Sequence, residues 1–67
     1  MEYRTERQFI EIMDSAENGQ FKQAAEQAEE AGFFAVDLLK HFYNTNSIYN
    51  IDDLVYIAEM AQELRNT

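Results

Sequence analysis

The sequence predicts an all-α protein: a compact bundle of about four helices, one domain over residues 1–67, with a central apolar helix at residues 33–43. Three observations carry this. Apolar residues recur at helical spacing in four stretches, two glycines and one Asn-rich loop separate those stretches, and there is no proline to interrupt them. The stretch FFAVDLLKHFY, Phe33 to Tyr43, is the most apolar. On a helix, its polar residues Asp37, Lys40 and His41, continued by Asn44, fall at i, i+3, i+4 and i+7 and form one narrow wet stripe. Every other direction is apolar, the signature of a helix surrounded by the rest of its fold.

The first helix is expected over Thr5 to Asn18. Thr5 followed by Gln8 forms a capping box, in which side chain and backbone satisfy each other's first-turn groups. Phe9, Ile12, Met13 and Ala16 line the inner side with Ile10 flanking. Arg7, Glu11, Asp14, Ser15 and Asn18 take the outer side. Asn18-Gly19 stops the helix, because glycine enters the left-handed C′ conformation without a Cβ clash. A hairpin turn is the other use of Asn-Gly, but EIMDSAE before it lacks strand alternation.

The second helix runs from Gln20 to Ala31. Phe21, Ala24, Ala25 and Ala28 form its inner side, and the alanines allow a neighbouring helix to approach closely. Lys22, Glu26, Glu29 and Glu30 face outward, and Gly32 closes the helix. After the central helix, NTNSIYN (Asn44 to Asn50) is a loop of side chains that bond their own backbone. Asn50 is the expected N-cap of the fourth helix, with Ser47 as the alternative, and Tyr49 with Leu54 as its hydrophobic staple. Asp52 and Asp53 suit the positive end of the helix dipole. This helix reaches about Leu64, with Ile51, Leu54, Val55, Ile57, Ala58, Met60, Ala61 and Leu64 on its broad inner side and the last residues fraying.

Gly19-x-Phe21-x-x-Ala24-x-x-x-Ala28 is similar to the middle of a tetratricopeptide repeat. Such arrays need about three copies of about 34 residues, and no second instance occurs.

Composition excludes several functions. Without cysteine there is neither a disulfide nor a Cys-based zinc site. No run approaches the roughly 18–20 apolar residues of a membrane span. The stretch MEYRTERQF has no apolar signal core, so a cytoplasmic location is expected. Thirteen acids against five bases give a formal charge of −8. Such a chain does not neutralise phosphates, which argues against direct nucleic-acid binding and against anionic membranes. It suits a basic partner, and it also keeps a small protein soluble.

No catalytic arrangement is apparent. Asp37 and His41 share a face, but no third metal ligand or nucleophile is spaced to join them, and a polar stripe is the ordinary reading. The pairs Asp52-Asp53 and Glu29-Glu30 are adjacent acids on solvated helices, not carboxyls held across a cleft. No calcium loop or phosphate-binding glycine loop is present. A non-enzymatic protein without cofactor or metal is expected.

The stretch pointing to function lies on the fourth helix. Asp52, Tyr56, Glu59 and Glu63 fall at i, i+4, i+7 and i+11, with Asp53 beside them, so Tyr56 is expected to stand exposed between acids. Rigid aromatics anchor interfaces while surrounding charges steer approach. Glu26, Glu29 and Glu30 make a second acidic stripe. Neighbours on one helical face lie about 5–6 Å apart, a spacing with which carboxylate rows imitate a phosphate backbone.

In size, acidity and lack of cysteine, carried by these two stripes and Tyr56, the chain resembles the small inhibitors encoded by phages and mobile elements, the anti-CRISPR and antirestriction proteins. That resemblance implies an inhibitor occupying the basic surface of a nucleic-acid-handling protein or complex, by DNA mimicry in several members. The alternative is a regulatory or adaptor module that docks a partner helix or tail in an apolar groove, using residues such as Ile48, Tyr49 and Phe33. A self-associating structural protein, for instance a homodimer, is the third expectation.

Overall fold

The computed structural model describes residues 4–46 and 48–67, so the alternative cap at Ser47 lies outside the described residues. Four helices follow in order: α1 (Glu6–Glu17), α2 (Phe21–Ala31), α3 (Ala35–Asn44) and α4 (Ile51–Arg65). No helix is long and apolar enough to cross a membrane.

Local chemistry sets the ends of these helices. The Gln8 amide donates to Thr5 Oγ1 at 3.2 Å, and the Thr5 amide donates to Gln8 Oε1 at 3.0 Å, completing the capping box. Gly32 takes φ +78°, and the Phe33 amide turns back to the Ala28 carbonyl at 2.8 Å. This left-handed stop makes α2 and α3 two helices instead of one rod. The Asp37 carboxylate accepts from the Phe34 amide at 3.0 Å, so α3 begins two residues later than its apolar run. Asn50 caps α4 by accepting from the Asp52 amide at 2.8 Å.

Phe9, Ile12, Met13 and Ala16 of α1 join Ala24 and Ala28 of α2, Leu54, Ile57 and Ala61 of α4, and Phe33, Leu38 and Phe42 in one core. Small side chains let α2 pack along both α1 and α4, so α2 is the middle helix, with its outer side in water. Ser15, expected on the outer side of α1, is buried at the α1–α2 contact. Its hydroxyl donates to Gln27 Oε1 at 2.9 Å, with the Glu11 carbonyl at 3.1 Å, which satisfies the polar group there.

The apolar run at 33–43 does not occupy the centre. Only Leu38 and Phe42 of α3 are buried, while Val36 and Tyr43 are 71% and 68% exposed. Phe33, as fully enclosed as Leu38, belongs to the link before the helix. Nor is the polar stripe uniformly wet. Lys40 and Asn44 face solvent, but Asp37 and His41 are half-buried because Arg4 folds over them. The Arg4 guanidinium lies 3.6 Å from Asp37, and the Arg4 carbonyl accepts from His41 Nε2 at 2.9 Å. The His41 ring stacks on Phe9 at 5.6 Å and tilts against Phe33 at 5.7 Å. A neighbour distant in sequence thus turned half the stripe inward.

Two further inner-side expectations are corrected on α4. Ile51 and Val55 are 42% and 45% exposed, and for Val55 the cause is an open gap between α3 and α4. The α4 C-terminus is held: Arg65 ends the helix in contact with the α2–α3 link.

Tyr49 packs edge-on against Phe9 at 5.8 Å, and its hydroxyl donates to Asp14 at 3.3 Å, which ties the loop to α1. Burial pushes the Tyr49 phenol above its ordinary value, and the nearby Asp14 and Glu17 charges add to the rise. A proton held more tightly in the folded state stabilises the fold fully below about pH 10, the unfolded value, and that contribution is lost as pH climbs through the raised one. Denaturant melts across the alkaline range are therefore expected to show an extra loss of stability above about pH 10 that Tyr49→Phe lacks. Identical alkaline profiles for the two proteins would exclude this linkage.

Candidate functional site

The outward side of α4 is arranged in parallel rows. Ile51, Val55, Ala58 and Gln62 recur at i, i+4, i+7 and i+11, and so lie along one line, of which Val55, Ala58 and Gln62 border α3. Asp52, Glu59 and Glu63 follow at i, i+7 and i+11 of the next line, and Tyr56 stands beyond them toward α2. Between the first row and α3 runs an open groove of about 500 Å³, with Ala35 and Leu39 on one wall, Val55 and Ala58 on the other, and Glu59 and Glu63 at the rim. Leu54 forms part of its floor.

The groove follows from side-chain size and the α2–α3 break. Ala35 and Ala58 are too small to fill the space between their helices. The stop at Gly32 re-aims the chain, so α3 meets the bundle at its edge. Arg65 closes one end, donating from Nη2 to the Phe33 carbonyl at 2.7 Å with its guanidinium 4.0 Å over the Phe34 ring. Phe34 is itself half-exposed, so the apolar surface continues past the groove.

Each expected partner-binding residue can be placed against this geometry. Asp52, Glu59 and Glu63 are exposed, whereas Asp53 is half-buried at the start of α4. Tyr56 is 50% exposed and does not stand free, since its ring packs edge-on against Phe21 at 5.2 Å. That contact fixes the ring and leaves one side to solvent, as an anchor requires. Glu26, Glu29 and Glu30 are exposed on α2. Glu30 borders a different, smaller cleft of about 270 Å³ between α1 and α2, together with Glu11, Gln8 and Gln27. The two acidic stripes therefore border separate clefts. Of the apolar docking residues expected, Ile48 is exposed, Tyr49 half-buried and Phe33 fully enclosed.

Leu39, Val55 and Ala58 were not legible as a binding surface, because their spacing equally fits the inner side of a helix. The only local signal was the small size of Ala35 and Ala58. Asp37 and His41 do not form a catalytic pair: the Asp37 carboxylate is engaged by the Phe34 amide and Arg4, and His41 Nε2 by the Arg4 carbonyl. Among the described residues, no group of three or more His, Cys, Asp or Glu side chains is arranged to hold a metal ion.

The fold and this surface define a small four-helix bundle with an acid-rimmed apolar groove. Compared with known proteins, the chain matches no protein-family model, no curated protein and no solved structure.

Proposed function

We propose that this chain is a non-enzymatic inhibitor, acting in the cytoplasm, that binds a basic surface of a nucleic-acid-handling protein or complex and competes there with the nucleic acid, as several anti-CRISPR and antirestriction proteins do. The observation supporting this reading is the exposed carboxylate row Asp52, Glu59 and Glu63 beside the half-exposed, Phe21-supported Tyr56, in a chain of formal charge −8. Over α4, Asp52 to Glu63 spans about 16 Å, a length suited to a groove that follows a nucleic-acid backbone. The acids of α2 extend the negative field beyond that row. A second reading, an adaptor module that docks a partner helix, is favoured by the apolar groove alongside.

The test uses the variant Asp52→Lys/Glu59→Lys/Glu63→Lys, whose changed side chains face water. Partners captured from the native host are identified by mass, and association of the purified partner is then measured at low and high salt. Charge steering accounts for roughly 10- to 1,000-fold in on-rate. The variant is expected to associate at least about tenfold more slowly, with a weaker salt dependence. Undiminished binding by the folded variant excludes the α4 row as the interface. Simultaneous binding of this protein and the partner's DNA or RNA, without loss of either affinity, excludes competition.

A further inference from the structure

We infer that the α3–α4 groove receives one amphipathic helix of the partner, with its apolar side chains in the groove and its lysines or arginines along the Asp52, Glu59, Glu63 row. This rests on the basic-partner reading above and adds to it the structural element recognised.

The first argument is shape. On α4 the lining of the groove runs from Leu54 to Arg65, about 16 Å or three helical turns, and is open at the surface. A helix presents apolar anchors at i, i+3, i+4 and i+7, which cover about 10 Å and fit within that length. The groove walls, Ala35 and Leu39 against Val55 and Ala58, are apolar and have no covering element among the described residues. Val55, at 45% exposure, is a large apolar side chain left half in water.

The second argument is charge. The acids lie along one edge of the groove, since Glu59 and Glu63 share its rim. An occupant is therefore met by apolar surface below and negative charge on one flank. An amphipathic helix with a basic edge matches both in a single orientation, whereas an extended basic strand, whose side chains alternate between two sides, matches only one. A second copy of this chain is disfavoured. Pairing the same faces across a two-fold axis carries two copies of the Asp52, Glu59, Glu63 row into one interface, between molecules of formal charge −8 each.

The test uses the full chain and three synthetic peptides of about 16 residues. One is an amphipathic helix with leucines at the anchor positions and lysines on one edge. The second is its scrambled sequence, and the third carries glutamates in place of the lysines. Binding is measured by fluorescence anisotropy, and the site by backbone amide shifts. The basic-edged helix is expected to bind at least tenfold more tightly than the scrambled peptide, with shifts concentrated in α3 and residues 51–63. Val55→Asp is expected to weaken it at least tenfold with unchanged far-UV circular dichroism. If that variant loses helicity, Val55→Ser carries the same test. Glu59→Lys/Glu63→Lys is expected to weaken binding and flatten its salt dependence.

Equal binding of the scrambled peptide overturns the helical occupant and leaves the basic-surface reading standing. Equal binding of the glutamate peptide overturns the basic partner itself. Reversible dimers in sedimentation that Val55→Asp dissolves overturn the inference in favour of a second copy.

Discussion

Phe33→Ala is expected to lower the unfolding free energy by about 3–5 kcal/mol, the usual loss for emptying a buried phenylalanine site. A chain of this length has roughly 3–10 kcal/mol in total, so the loss removes a third or more of the stability and, toward the low end of that range, unfolds much of the population at ambient temperature. Phe33 is fully enclosed although it lies in the link between α2 and α3, and its ring meets His41. The link offers little chance of collapse around the vacancy, because the Phe33 amide is tied to Ala28 and its carbonyl to Arg65. Leu38→Ala, at the enclosed position of α3, is expected to lose about 2–5 kcal/mol. Leu39→Ala, half-buried on the groove wall, is expected to lose clearly less. Urea titrations of the three variants check this order. A Phe33→Ala midpoint close to that of the parent would place the core elsewhere.

Arg65→Met is expected to destabilise by about 2–3 kcal/mol, since hydrogen bonds to charged groups contribute about 1.5–3 kcal/mol and the cation–π contact adds to them. Methionine keeps an apolar stem but loses the guanidinium that donates to the Phe33 carbonyl and, at 3.4 Å, toward the Ala28 carbonyl. Ala28 is the residue to which the Phe33 amide returns, so one side chain from the end of α4 clamps the α2–α3 stop from outside. Arg65→Lys is expected to fall between parent and Met, because an ammonium retains the charge but not the planar fork. Denaturation midpoints measure the loss, and amide exchange is expected to accelerate first at residues 32–35. A midpoint shift below about 0.5 kcal/mol for Arg65→Met, typical of an unremarkable surface change, would show that the clamp does not matter.

The clamp and the groove share a cause, which bears on how the two sets of variants are read. Arg65 fixes where α3 leaves α2, and the position of α3 sets the width of the groove. Arg65→Met is therefore unsuited as a binding probe, whereas Val55→Asp and the Glu59/Glu63 reversals change the groove's chemistry at exposed positions.

Features decided within a few residues were legible from the sequence alone. The Thr5–Gln8 capping box, the stop at Gly32 and the Asn50 cap depend on side-chain chemistry reaching one turn away, and so the all-α class and the four helices could be read directly. The inner sides of α1 and α2 were legible too, because each has one strongly apolar flank. What only the tertiary structure decided is which apolar sides found a cover. Residues 33–43 carry apolar groups in most directions, and periodicity does not rank them. In a bundle this small each edge helix has neighbours on one side, so Leu38 and Phe42 were enclosed while Val36 and Tyr43 stayed in water. The same lack of cover left Val55 beside Glu59 at a groove edge, while Arg4 and Arg65, each remote in sequence from its contacts, closed over His41 and Phe33.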